Sequence, residues 1–349
     1  RYWVQHMHVD GFRFDLASVL SRGEDNQVLT VPPALWDIDS DPVLAGTKII
    51  AEAWDAAGLY QVGSFIGDRW AVWNGRYRDT ARRFVKSDTG TVRSLADALS
   101  DSYNVFSQLD RDPMRSINFI TAHDGFTLND LVSYNDKHNE ANGEDNRDGN
   151  NQNDSWNCGA EGPTRDPQIE ALRQRQIRNF FTILLTSQGQ PMFHMGDEVR
   201  RTQQGKNNAY CQDNAVSWHD YPADLQSNEL REFTRKLIAF RRRHPAFLRR
   251  EVFTGIDSDF NSIPDISWFT ANATPVDWSR VGSFLAVRVD GSHHEIHSER
   301  DDNDFYLLFN ASKQRHRITL CAPPSGKLWC RILDTSIQGP DDFLQENDI

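Results

Sequence analysis

The stretch VDGFRFDL, residues 9–16, reads as a short buried β-strand that ends in charge. Successive side chains of a strand face opposite ways, so Phe12 and Phe14 share one face while Gly11, Arg13 and Asp15 share the other. The phenylalanines are then placed to pack against covering helices. Arg13 and Asp15 project together at the strand's carboxyl end. Taken alone, this strand is explained as well by a structural Arg–Asp pair as by a functional site.

Three further stretches repeat the arrangement. TKIIAEAW (47–54) delivers Glu52 after an apolar run, SINFITAHD (116–124) delivers His123 and Asp124, and QPMFHMGDE (190–198) delivers Asp197 and Glu198. Amphipathic segments lie between and after them: RSLADALSDSYNVF (93–106), IEALRQRQIRNFFTILLTS (169–187) and NELREFTRKLIAFRRRHPAF (228–247). Each is predicted as a helix, the last with a heavily basic exposed face. Strands alternating with helices predict an α/β body with parallel strands. Such folds build their sites from the carboxyl ends of several strands on one rim. Carboxylates gathered there are costly unless each is paired or shifted in pKa, so the cluster points to chemistry rather than packing.

The rest of the chain narrows that chemistry. Its 349 residues predict two domains. We place the α/β body at 1–247 and a smaller antiparallel β-sandwich domain at 248–349. The strands expected in the second domain are SFLAVRVD (283–290), DFYLLFNAS (304–312), RHRITLC (315–321) and LWCRILD (328–334). Acidic residues outnumber basic ones by 50 to 38, giving a net charge of −12 that repels nucleic acid and anionic lipid. No apolar run approaches the roughly 18 residues of a membrane span. Cys158, Cys211, Cys321 and Cys330 form no C-x-x-C pair, which argues against a zinc site or a disulfide scaffold and for free thiols in a reducing compartment. The opening RYWVQHMHVD has no signal-peptide architecture.

The Asn-, Asp- and Gly-rich segment 135–167 is long enough to be functional, and it carries Asp145, Asp148 and Asp154. Calcium is the metal it brings to mind. The spacing lacks the Gly at the sixth position and the Glu at the twelfth that a calcium loop needs, so we expect no metal and no cofactor. The absence of G-x-S-x-G sets aside a serine hydrolase, and the absence of Gly-rich phosphate motifs sets aside nucleotide binding.

Paired carboxylates on one rim, with Trp54, Tyr60, Trp70 and Trp73 close behind, suggest glycoside chemistry. Asp15 suits the nucleophile, because Arg13 two residues earlier holds it ionised. Glu52, following an apolar run, suits an acid that later acts as base. The expected spacing of the two carboxyls is about 5 Å, as for retaining hydrolysis. His123 and Asp124 would bind sugar hydroxyls. Trp54, Trp73 and Trp156, all expected in loops after strand ends, are the predicted stacking platforms, with Tyr60 and Asp79 as further contacts. Asp197 and Glu198 are read as loop or subsite support.

VDGFRFD (9–15), IAEAW (50–54) and TAHDG (121–125) resemble, in order, three of the four signature regions of the α-amylase superfamily, glycoside hydrolase family thirteen. AWDAAGLYQVGSF (53–65), the WAVWNGRYRD stretch (70–79), SYNDKHNEANGEDNRDG (133–149) and MGDEVRRTQQGKNNAYCQDN (195–214) resemble isoamylase-type debranching enzymes. The resemblance implies a (β/α)₈ TIM barrel followed by a β-sandwich, and hydrolysis of α-1,6 branch linkages in glycogen or amylopectin with retention. It implies Asp15 as nucleophile, Glu52 as acid/base and Asp124 as transition-state stabiliser, supported by Arg13 and His123. The implied partner is a branched α-glucan, in a bacterial cytoplasm or a plastid stroma. Three alternatives are an α-1,4-acting amylase, a branching transferase, and a non-catalytic glucan-binding subunit. The family's first signature region belongs well before VDGFRFD, and only eight residues precede Val9. A partial barrel holding the later strands is therefore expected, inactive and poorly soluble when expressed alone.

Overall fold

A computed structural model describes residues 1–100, 112–220, 225–280 and 282–344. Five strands form one sheet in sequential order: β1 (Gly11–Phe14), β2 (Lys48–Ala51), β3 (Ala71–Asn74), β4 (Ser116–Phe119) and β5 (Gln190–Met192). Every neighbouring pair is parallel. A parallel sheet is what the strand–helix alternation predicts, and it fits the partial barrel that the resemblance implies. The helices are α1 (Tyr2–Gln5), α2 (Pro33–Ser40), α3 (Gly75–Val85), α4 (Val92–Leu99), α5 (Leu128–Leu131), α6 (Pro167–Thr186) and α7 (Leu225–Arg243). A short helical turn, His293–Ile296, follows in the C-terminal part.

Three local expectations change. β3 was not foreseen as a strand, so Trp73 lies within the sheet and not on a loop. The helix expected over 93–106 is described as α4 and ends at Leu99; residues 101–106 lie outside the described residues. The basic face of α7 is not wholly exposed. Arg241 turns inward and donates to the carbonyls of Leu185, Ser187 and Gly189. It thereby satisfies carbonyls at and beyond the end of α6, which the helix itself leaves unpaired. Burial pushes the Arg241 pKa down to about 10.

Local chemistry fixes the other ends. Asp166 caps α6 by accepting from Gln168 N at 2.8 Å, with Pro167 in the first helical position. Asn74 ends β3 and caps α3 through Tyr77 N, while its amide donates to Ser116 Oγ across the sheet. Ser116 in turn donates to Asn118, whose amide reaches Gln188 O at 2.7 Å. This buried polar chain locks β3, β4 and the approach to β5 in one register.

Beyond residue 247 a second sheet holds β6 (Ile266–Phe269), β7 (Phe284–Val289) and β8 (Phe305–Asn310), all antiparallel. Strands β7 and β8 match expectation and β6 was missed. RHRITLC and LWCRILD form no strand; only an isolated bridge joins Leu333 to Phe343. The β part is therefore described as one three-stranded sheet. One hydrophobic core runs through both parts: Phe240 of α7, Phe247 and Phe305 of β8 pack together, with the Phe247 and Phe305 ring centroids 4.6 Å apart.

Candidate active site

The register places the acids. Phe14 pairs with Ala51, and Ala51 pairs with Val72. One residue further on, Asp15, Glu52 and Trp73 form a row across the carboxyl ends of three strands. Glu52 N donates to Phe14 O at 3.0 Å, which carries the β1–β2 ladder into this row.

A single guanidinium holds both acids. Arg13 Nη1 donates to Asp15 Oδ1 at 2.7 Å, and its Nη2 lies 2.8 Å from Glu52 Oε1. The same group lies 4.4 Å from the centroid of the Trp73 ring, within cation–π range. The two carboxylates meet very different surroundings. The Asp15 side chain is 74% exposed and that of Glu52 only 4%. Leu16, held in the left-handed region at φ 41°, aims its N–H at Glu52 Oε2 at 2.9 Å. A leucine there is strained, and strain of this kind persists where surrounding structure enforces it. Burial raises the Glu52 pKa above the ordinary carboxylate range; the Leu16 N–H and Arg13 oppose it, and the negative charges of Asp124 and Asp15 add to it. Burial wins, which suits a group that must carry a proton.

His123 and Asp124 follow β4 with exposed side chains, His123 Nδ1 lying 3.8 Å from Asp124 Oδ1. The His123 ring meets the edge of Trp73 at 6.0 Å. Trp73 is thus enclosed by Arg13, His123 and Phe119 and is 9% exposed. It supports the rim from within the sheet. Trp54 and Tyr60 stack nearly parallel, 6.1 Å apart at 9°, joined by a β-bridge next to Glu52. Trp156 is partly buried against the main core, and its backbone N–H donates to Leu131 O at 3.0 Å. Asp79 pairs with Arg78 at 2.7 Å.

Two residues were missed. Arg78, beside Asp79, acts electrostatically on both Asp124 and Tyr60. His194, two residues past β5, has its pKa pushed down to about 4 by burial, with Arg201 and His123 adding to the effect. Both sit in motifs already quoted, and a His at a strand end was the signal for the second. Asp197 is buried, and its carboxylate accepts from Thr121 Oγ1 and from Leu128 N. The acids of segment 135–167 disperse to separate partners: Asp154 to Arg83 and Lys86, Asp148 to Asn142 and Asn208, Asp145 to Arg147. Among the described residues only Asp257, Asp259 and Glu295 bring three potential metal-ligand atoms together, away from this loop.

No protein-family model matches the chain. It is 47% identical to "Glycogen operon protein GlgX homolog" of Mycobacterium tuberculosis over 96% of this chain and 48% of that protein. It is 41% identical to "Isoamylase SU1, chloroplastic" of Zea mays over 99% of this chain and 44% of that protein. The chain thus spans about half the length of these curated relatives. In fold it is similar to pullulanase type I from Bacillus subtilis complexed with maltose, with TM-score 0.62 and 20% identity over 89% of this chain and 38% of that one. Pullulanase from Bacillus acidopullulyticus is similar at TM-score 0.59 and 20% identity, over 89% of this chain and 33% of that one. Likeness of sequence across nearly all of its residues, with the signature strand ends aligned on one rim, shows that the chain belongs to the isoamylase branch of the α-amylase superfamily, glycoside hydrolase family thirteen.

Proposed function

We propose that the protein carrying this chain hydrolyses α-1,6 branch linkages of glycogen- or amylopectin-type glucans with retention. The observation that carries the reading is the Arg13 guanidinium, which touches an exposed carboxylate and a buried one at once. In the first step Asp15 attacks the anomeric carbon while protonated Glu52 gives its proton to the departing glycosidic oxygen. A glycosyl ester on Asp15 and a free hydroxyl on the leaving chain result. In the second step Glu52, now a carboxylate, takes a proton from water as the water displaces Asp15, so both side chains return to their starting states. Asp124 stabilises the positive charge that develops on the sugar ring, and His123 and Arg13 orient the acids. Trp54 and Tyr60 offer aromatic faces to the glucan. The double displacement as written uses these side chains and one water.

Among the described residues no helix is long and apolar enough to cross a membrane. We assign the protein to a bacterial cytoplasm or a plastid stroma, because its relatives include the mycobacterial protein and one named as chloroplastic. The test of function compares products from a branched glucan and from linear amylose. A debrancher releases linear chains from the first and leaves the second nearly untouched. Cleavage of amylose at a similar rate points instead to an α-1,4-acting enzyme, and transfer without hydrolysis to a branching enzyme. Glucan binding with no turnover marks a non-catalytic subunit.

A further inference from the structure

The turn that carries His123 and Asp124 is pinned at both ends to one buried side chain. Ile120 O accepts from Arg82 Nε and Nη2 at 2.9 and 2.6 Å. Thr121, at the start of the turn, donates its hydroxyl to Asp197 Oδ2, and Leu128, at its end, donates its N–H to Asp197 Oδ1 at 2.9 Å. Thr121, Leu128 and Asp197 are all buried, whereas the His123 and Asp124 side chains between them are exposed. Asp197 is itself fixed. Its N–H donates to His194 O at 3.0 Å, its carbonyl accepts from Arg200 N, and Gly196 O accepts from both Val199 N and Arg201 N.

From this geometry we infer that Asp197 is a positioning residue for Asp124: its two carboxylate oxygens fasten the two ends of residues 121–128 to the segment after β5. The inference rests on the glycosidase reading of Asp124 given above. A carboxylate suits the task because both of its oxygens accept, whereas an amide accepts with one atom only. The choice is costly. Asp197 is buried beside Glu198, and burial pushes its pKa up to about 7. An apolar packing role gives no reason for a carboxylate there. What the charge provides is two simultaneous acceptors at the ends of a loop whose exposed acid must be placed to within a fraction of an ångström.

The test is a cycle in the full-length protein on a branched glucan. Asp197→Asn is expected to lower kcat by about 10- to 100-fold with KM nearly unchanged, since a displaced stabiliser weakens transition-state rather than ground-state binding. In an Asp124→Asn background the same substitution is expected to change kcat by less than about twofold. Wild-type kcat in Asp197→Asn, or an equal loss in both backgrounds, overturns the inference. Hydrogen exchange reads the fastening without turnover: Asp197→Ala is expected to speed exchange at the Leu128 amide while helix α6 keeps its protection. Unchanged exchange at Leu128 overturns the inference even where the glucanase reading holds. Accelerated exchange in a protein without glucan hydrolysis upholds the fastening and removes the catalytic reading alone.

Discussion

Arg13 holds two acids, and the structure says the two contacts are unequal. Replacing it with Met removes the cation from Glu52, whose side chain is 4% exposed, and from Asp15, at 74%. At an effective dielectric near 20, unit charges 2.8 Å apart attract by about 6 kcal/mol before desolvation is counted. Removing one partner of a buried pair costs about 3–5 kcal/mol net. Arg13 keeps 24% of its surface in water, and its Nη2 proton is not aligned on the Glu52 oxygen, so the lower end applies, about 3 kcal/mol. The exposed Asp15 arm is worth under about 1 kcal/mol, as for surface pairs. The contribution of the guanidinium resting on Trp73 is common to every background and cancels in a cycle. Urea unfolding of Arg13→Met, Glu52→Gln, Asp15→Asn and the two doubles, at a pH alkaline enough to ionise Glu52 and followed by tryptophan fluorescence, measures both couplings. The Arg13–Glu52 coupling is expected near 3 kcal/mol and the Arg13–Asp15 coupling below about 1 kcal/mol. Equal couplings, or a larger one to Asp15, would refute the reasoning that burial decides which arm holds.

Other outcomes follow from the same geometry. Asp15→Asn in the full-length protein is expected to remove several orders of magnitude from kcat while leaving the circular dichroism spectrum unchanged; comparable activity would exclude Asp15 as nucleophile. Glu52→Gln is expected to damage natural glucan far more than a substrate with a very good leaving group, because only the former needs a proton in the first step; equal damage argues against Glu52 as the acid. The pH profile has a definite sign. Glu52 must be protonated to act, burial already raises its pKa, and Arg13 works against that rise. Arg13→Met therefore moves the alkaline limb of kcat/KM to higher pH, and a limb that stays in place or moves down contradicts the assignment. Asp197 makes a stability prediction. Its pKa is raised from 3.8 to about 7, so the folded state binds more protons than the unfolded one across that window. Wild-type stability then falls, relative to Asp197→Asn, as pH rises from about 4 to about 7 and levels off above; a pH-independent difference would mean the carboxyl is not buried as described.

What could be read from the sequence was what local pattern determines. Alternation of faces in VDGFRFDL and the apolar run before Glu52 placed two acids at strand ends, and parallel pairing then set them side by side. β3 escaped because it runs straight into the Asn-Gly that starts α3, so Trp73 looked like a loop platform. RHRITLC and LWCRILD are rich in β-favouring residues but pair with no strand among the described residues, and β-propensity without pairing does not make a strand. The remaining features depend on residues far apart in the chain. Nothing near Leu16 announces its left-handed backbone; the conformation is meaningful only because it turns an N–H onto Glu52, 36 residues away. Asp197 looked like a fourth acid on the rim, and its partner Thr121 lies 76 residues earlier. A sequence pattern can nominate acids for a rim, but whether an acid reacts or fastens depends on the donors that reach it. Asp15 is exposed and meets a cation, Glu52 is buried against a cation and an N–H, and Asp197 is buried against two neutral donors. Under the proposed function, those three settings suit three different tasks for side chains of nearly identical chemistry.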